Sequence, residues 1–206
     1  ITSEDFALLD HFKLSRREVD WGGLLRFGVL VSGSVAVVWA VKRRYNPDLR
    51  RRDGLLLWLL SLSTPLLVVF RMPTTTLPAV GLLVGGFYGA PLGLTVTGLL
   101  TMLLGVSLDL KLNYLLASAA AGMFCSWLGE RLRSREELAL LGVGAGLLQG
   151  AVYLILSVAS GTVWYTLLGE TAFQAILGLA WVVVGMGLSP YLEQLFDLVT
   201  TIRLVE

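Results

Sequence analysis

Charge is scarce in this sequence. Only 15% of its 206 residues are Asp, Glu, Lys or Arg, where a soluble domain has about a quarter. The stretches 112–128, 138–169 and 171–192 hold no charged residue at all, so none of them can turn a solvated face to water. Cysteine and histidine are almost missing too. The single cysteine, Cys125, excludes a disulfide framework or a thiolate metal site within these residues, and in its apolar run it reads as a plain buried thiol. The single histidine, His11, lies in the opening polar segment, away from Cys125. There is no GxSxG pattern, no aspartate pair or Ser–His dyad in an apolar stretch, and no glycine loop of the phosphate-cradling kind. No catalytic, cofactor-binding or metal-ligating residue is therefore assigned in this chain. A formal net charge of +1 gives nucleic acid no electrostatic reason to bind.

What is abundant is apolar length. The mean hydropathy is +0.75, and a bilayer core about 30 Å thick is crossed by roughly 20 apolar residues in a helix. That measure predicts an all-α, polytopic membrane helix bundle of seven transmembrane helices, at about 24–41, 55–70, 74–88, 92–108, 112–129, 138–158 and 172–188. The third and fourth are short and separated only by Gly89-Ala90-Pro91; a re-entrant pair is the alternative there. Residues 160–169 read as a loop, and Ser189-Pro190 as the end of the last span. Residues 1–20 form the end of an extracytoplasmic segment, 21–190 the membrane domain, and 191–206 an amphipathic helix and connector to a cytoplasmic domain. Ser15 with Glu18, and Ser134 with Glu137, have the spacing of capping boxes that start helices.

Orientation follows from the basic residues in the short loops, which favour the cytoplasmic side. Loop 42–54 holds six and loop 130–137 three, whereas the opposite loops near Arg71, near Lys111 and at 160–170 hold one, one and none. The N-terminus is expected outside and the C-terminus in the cytoplasm, in a bacterial inner (or other energy-transducing) membrane. The sequence opens on Ile1 with no signal peptide, as an internal piece of a longer polypeptide would.

Small residues recur at four-residue spacing: Gly81, Gly85, Gly89 and Gly93, then Gly142, Gly146 and Gly150, and also Ser118, Gly122 and Ser126. Such spacing stacks small side chains on one face and lets helix backbones approach closely in lipid. Ordinary packing within one bundle is the commoner use; a homodimer interface, a larger membrane complex or a moving joint is the other. Ionisable groups in a span are functional candidates, but Arg26, Arg71 and Asp109 sit near span ends and no carboxylate falls within a predicted span. Gln149 and Gln174 read as bridges between helices. After Pro190, Leu192, Leu195, Phe196 and Val199 share one helical face, with Glu193, Gln194 and Asp197 away from it. Glu193 and Asp197, one turn apart, read as a solvated face.

The run Ser189-Pro190-Tyr191-Leu192-Glu193-Gln194-Leu195-Phe196, followed by Thr200-Thr201-Ile202-Arg203-Leu204-Val205-Glu206, resembles a signature of the seven-transmembrane receptors that carry an intracellular histidine–aspartate (HD) phosphohydrolase domain. The segment 2–21 resembles the end of their extracytoplasmic domain. The resemblance implies a signalling protein: an outer domain senses an unknown extracytoplasmic ligand, and the bundle relays its state to a cyclic di-AMP phosphodiesterase. It also implies two metal ions held by histidines and aspartates of the HD domain, a site these residues do not contain. Glu193, Phe196, Thr201 and Arg203 would form the relay connector. A non-catalytic membrane scaffold or assembly factor that binds other membrane proteins is the alternative, and a small-molecule transporter ranks third.

Overall fold

The computed structural model describes residues 75–107, 111–132, 134–161 and 164–196, with Gly28, Ser32, Gly54, Leu56, Leu57, Leu59, Leu60 and Ser63 as isolated helical positions before them. The described residues form five helices and no strand: α1 (Leu77–Tyr88), α2 (Ala90–Ser107), α3 (Leu112–Gly129), α4 (Arg135–Ala159) and α5 (Trp164–Phe196). The spans expected at 24–41 and 55–70 fall almost wholly outside the described residues, as does the sequence after Phe196.

Local chemistry accounts for the helix boundaries. Proline near the N-terminus of α1 suits a position whose N–H has no helical partner. Gly89 then breaks the chain with φ at 92°, a left-handed value that favours glycine, so α1 and α2 fold back as a hairpin. The carboxylate of Glu130 accepts from the Ala90 N–H at 2.7 Å, satisfying a free donor at the start of α2. α4 opens on the expected capping box: the Glu137 N–H donates to Ser134 Oγ at 3.2 Å, and the Ser134 N–H to Glu137 Oε2 at 3.3 Å. It closes where Gly161 turns with φ at 76°.

Two boundaries differ from the sequence reading. The loop expected over 160–169 is mostly helix, since α5 begins at Trp164. Nor does the last span end at Ser189-Pro190, because α5 continues through Pro190 to Phe196 as one helix of 33 residues. Proline removes one backbone donor but leaves the helical φ intact, and helices in lipid tolerate it where neighbouring elements support them.

α3 packs against α1, α2 and α4, while α5 lies along α4 and also touches α1. The helices α1, α3, α4 and α5 thus close a ring, with α2 on the outside of the α1–α3 edge. One apolar cluster joins Leu56, Leu57 and Leu60 to α1, α2 and α3. A second sits inside the ring, from Leu82 through Cys125 and Leu141 to Val182. Outside the ring the polarity is the reverse of a soluble protein. α4 bares Leu140, Val143, Leu147, Ile155 and Val158, and α5 bares Phe173, Ile176, Val183 and Leu188, while Gln149, Ser157 and Gln174 are buried. Leucines facing outward and amides facing inward suit lipid. Among the described residues two helices are long and apolar enough to cross a membrane, Glu136–Ala159 and Leu167–Phe196; Leu77–Tyr88 and Ala90–Val106 are shorter apolar helices. At 1.5 Å per residue α1 reaches only about 18 Å.

Candidate functional site

Three helices contribute a polar seam to the ring. On α4, Gln149, Tyr153, Ser157 and Ser160 follow at helical spacing. On α5, Glu170, Gln174 and Trp181 do the same, and α3 brings Asn113, Tyr114 and Ser118. At one end of the seam the hydroxyls of Tyr114 (3.3 Å) and Tyr153 both donate to Glu170 Oε2. Their rings lie 4.9 Å apart, and the Lys111 ammonium is 5.7 Å from the Tyr114 ring. Asn113 Nδ2 donates to the hydroxyls of Ser157 and Ser160, each at 3.3 Å. A carboxyl oxygen has two lone pairs, so one oxygen of Glu170 can accept from both phenols. Glu170, which the sequence places just before the last predicted span, is half-buried within α5, one turn before Gln174.

Further along the seam, Gln149 Nε2 donates to Gln174 Oε1 at 2.8 Å, and both residues are buried. The helix bridge expected from these two amides is present. Gly178 makes it possible, because a Cβ there would come within 2.7 Å of Gln149 Oε1. Beside the bridge lies a cavity of about 10 Å³, lined by Thr75, Tyr114, Ser118, Gln149, Gln174, Leu177 and Trp181. It lies where α3, α4, α5 and the lead-in to α1 meet.

The small-residue faces meet other helices of the same chain. A Cβ on Gly81 would run into the Gly122 carbonyl oxygen, and one on Gly85 would lie 2.6 Å from the Ser126 carbonyl oxygen. On the other side of the ring, a Cβ on Gly146 would lie 2.5 Å from the Ala175 carbonyl oxygen, and Gly150 and Gly142 face Thr171, Ala175 and Val182. Gly89 stands apart: it is the turn residue between α1 and α2, and its role is conformational.

Of the four connector residues, Phe196 is half-buried and packs with Leu192 against the cluster of α1, α2 and α3. Glu193 accepts from Ser189 Oγ at 3.3 Å; Thr201 and Arg203 lie outside the described residues. The half-buried stripe at this end is Ser189, Leu192, Glu193 and Phe196, whereas Leu195, expected on the apolar face with Leu192, is 74% exposed.

Glu170, Tyr114 and Tyr153 were not singled out in the sequence. One signal does point to them: Glu170 is the lone charge separating two long uncharged runs, at i−4 from Gln174. Among the described residues no three His, Cys, Asp or Glu side chains gather as metal ligands.

The model of the family described as 7TM receptor with intracellular HD hydrolase matches residues 21–200. An uncharacterized protein of Synechocystis sp. is 47% identical over 212 residues, an alignment that takes in 100% of this chain and 26% of that protein. The chain therefore spans about a quarter of the length of that relative. No solved structure matches it.

Proposed function

The chain belongs to the 7TM receptors with an intracellular HD hydrolase, and from that membership we propose that it is the signal-relay membrane domain of a receptor-type cyclic di-AMP phosphodiesterase. On this reading the chain crosses a bacterial inner membrane seven times, N-terminal end outside and C-terminal end in the cytoplasm. An extracytoplasmic ligand is sensed on one face. On the other, an HD domain outside these 206 residues holds two metal ions and hydrolyses the cyclic dinucleotide.

The observation that carries the relay role is the course of α5. Its 33 residues run unbroken from the polar seam at Glu170 and Gln174 to Phe196, which packs on the cluster of α1, α2 and α3. A shift of α5 against α4 at the seam is delivered at its far end, since a helix transmits displacement along its axis when its hydrogen bonds persist. The scaffold alternative has less support. The faces it needs for docking, at Gly81, Gly85, Gly142, Gly146 and Gly150, are already filled by other residues of this chain.

The test uses the full-length protein in lipid vesicles, with cyclic di-AMP hydrolysis as the readout for the unsubstituted protein and for Leu195→Pro. The Leu195 side chain is largely exposed, so little packing is lost. The proline removes the N–H that bonds the Tyr191 carbonyl and clashes with that turn. The two rates are expected to differ, because the bundle sets the rate of the hydrolase through α5. Equal rates reject the relay, and no hydrolysis by the unsubstituted protein rejects the phosphodiesterase assignment.

A further inference from the structure

The cavity beside the Gln149–Gln174 bridge is lined by residues that carry hydrogen-bonding atoms left unsatisfied among the described residues. Gln149 Oε1, Gln174 Nε2, Trp181 Nε1 and Thr75 Oγ1 are all buried, and none has a hydrogen-bond partner among the described residues. All four residues line this one cavity, and Gln149 and Gln174 are only 3% and 2% exposed. Buried polar atoms are nearly always paired, so four orphans around one space call for an occupant.

Charge, size and valence narrow the occupant. Every lining residue is uncharged, so an ion inside the bundle would be left without a counter-charge and is excluded by its desolvation penalty. The cavity of about 10 Å³ is at the lower bound for one water molecule. Gln149 Oε1 accepts only, Gln174 Nε2 and Trp181 Nε1 donate only, and the Thr75 hydroxyl does either. An occupant must both donate and accept. We infer that this cavity is a built site for a bound water, which ties α4 (Gln149) to α5 (Gln174 and Trp181) and to the residue leading into α1 (Thr75). The amide bridge leaves one acceptor and one donor over, and the water takes both. The inference does not depend on the receptor reading.

The experiment is NMR on the full chain in lipid bilayers with 15N-labelled tryptophan and glutamine. The Trp181 indole signal is assigned by its loss in Trp181→Phe. Magnetisation transfer from water to the Trp181 indole N–H is expected in the unsubstituted protein, and is expected to fall several-fold in Gln149→Met, which removes one anchor. Thr75→Val, nearly isosteric, serves the same purpose if Gln149→Met does not fold. Absence of transfer in the unsubstituted protein means a dry cavity and overturns the inference. Transfer that persists undiminished in the folded variant means that solvent reaches the indole by another route, and overturns it equally.

Discussion

Ser126 Oγ lies 3.0 Å from the Gly81 carbonyl oxygen, so the α3 hydroxyl reaches the backbone of α1 directly. That contact exists only because Gly81 and Gly85 have no side chains: a Cβ on Gly81 would approach Ser126 Oγ to 2.9 Å and strike the Gly122 main chain. The α1–α3 contact is held by backbone-to-backbone proximity, with Thr97 Oγ1 3.3 Å from the same serine hydroxyl on the α2 side.

Gly81→Ala and Gly85→Ala are therefore expected to destabilise the bundle by about 1–3 kcal/mol each, the usual penalty for forcing atoms into a filled interface. Gly86→Ala is the control. It lies on the same helix, and a Cβ there meets nothing within 4 Å. It is expected to be neutral or stabilising by up to about 1 kcal/mol, because alanine loses less freedom in a helix. Thermal unfolding of the purified protein in detergent separates them. Changes of the same sign and size at all three positions show that the substitutions do not probe the α1–α3 contact.

The start of α4 offers a narrower test. Ser134→Ala removes an acceptor for the Glu137 N–H and is expected to reduce stability by about 1 kcal/mol. Glu137→Gln keeps an oxygen able to accept from the Ser134 N–H and preserves the box, so it is expected to change stability by less than about half as much. Hydrogen exchange at Glu136–Leu138 reports the local effect. If Glu137→Gln loosens that turn as much as Ser134→Ala, the carboxylate charge beside the helix N-terminus matters more than the reciprocal bonds.

Much of this architecture was legible in the sequence. Uncharged runs marked where helices lie, Ser134 and Glu137 marked where one starts, and glycines four apart marked where helices touch, because each of these reports a local rule. The course of α5 was not legible. Pro190 and the charge at Glu170 look like boundaries, yet a helix passes through both. The helix continues past the proline, and the carboxylate is satisfied by Tyr114 and Tyr153, 56 and 17 residues away in sequence. Gly89 misled in the opposite way. It continues a four-residue series, but Pro91 follows two residues later and the backbone at Gly89 turns instead. Partners distant in sequence, and so the seam itself, emerge only once α3, α4 and α5 are assembled.

The carboxylate at the seam gives a third prediction. Tyr153→Phe removes a charge-assisted hydrogen bond to Glu170, a loss of about 1.5–3 kcal/mol where the acceptor is charged, moderated here by the second donor, Tyr114. Glu170→Gln removes the charge and leaves an amide oxygen that still accepts. Combining the two substitutions is therefore expected to destabilise by less than the sum of the singles, measured as a double-mutant cycle of unfolding free energies. Strict additivity means that Tyr153 and Glu170 are not coupled, and the tyrosine contributes only its packing against Tyr114.

The last prediction concerns Pro190. It is exposed, so replacing its ring with a methyl group removes little packing. Pro190→Ala restores an N–H that can donate to the Met186 carbonyl, and it relieves the clash a proline makes with the turn before it. The segment after this point, Tyr191–Phe196, is the part of α5 that meets the cluster of α1, α2 and α3 through Leu192 and Phe196. If the proline weakens the helix here, amide exchange from Gly187 to Phe196 slows in Pro190→Ala while exchange in α4 is unchanged, as mass spectrometry of the protein in lipid would read. Unchanged exchange throughout means that neighbouring helices already compensate for the missing hydrogen bond, and α5 then moves as one rigid rod from Trp164 to Phe196. In that event the helix end shifts with the seam and has no joint of its own.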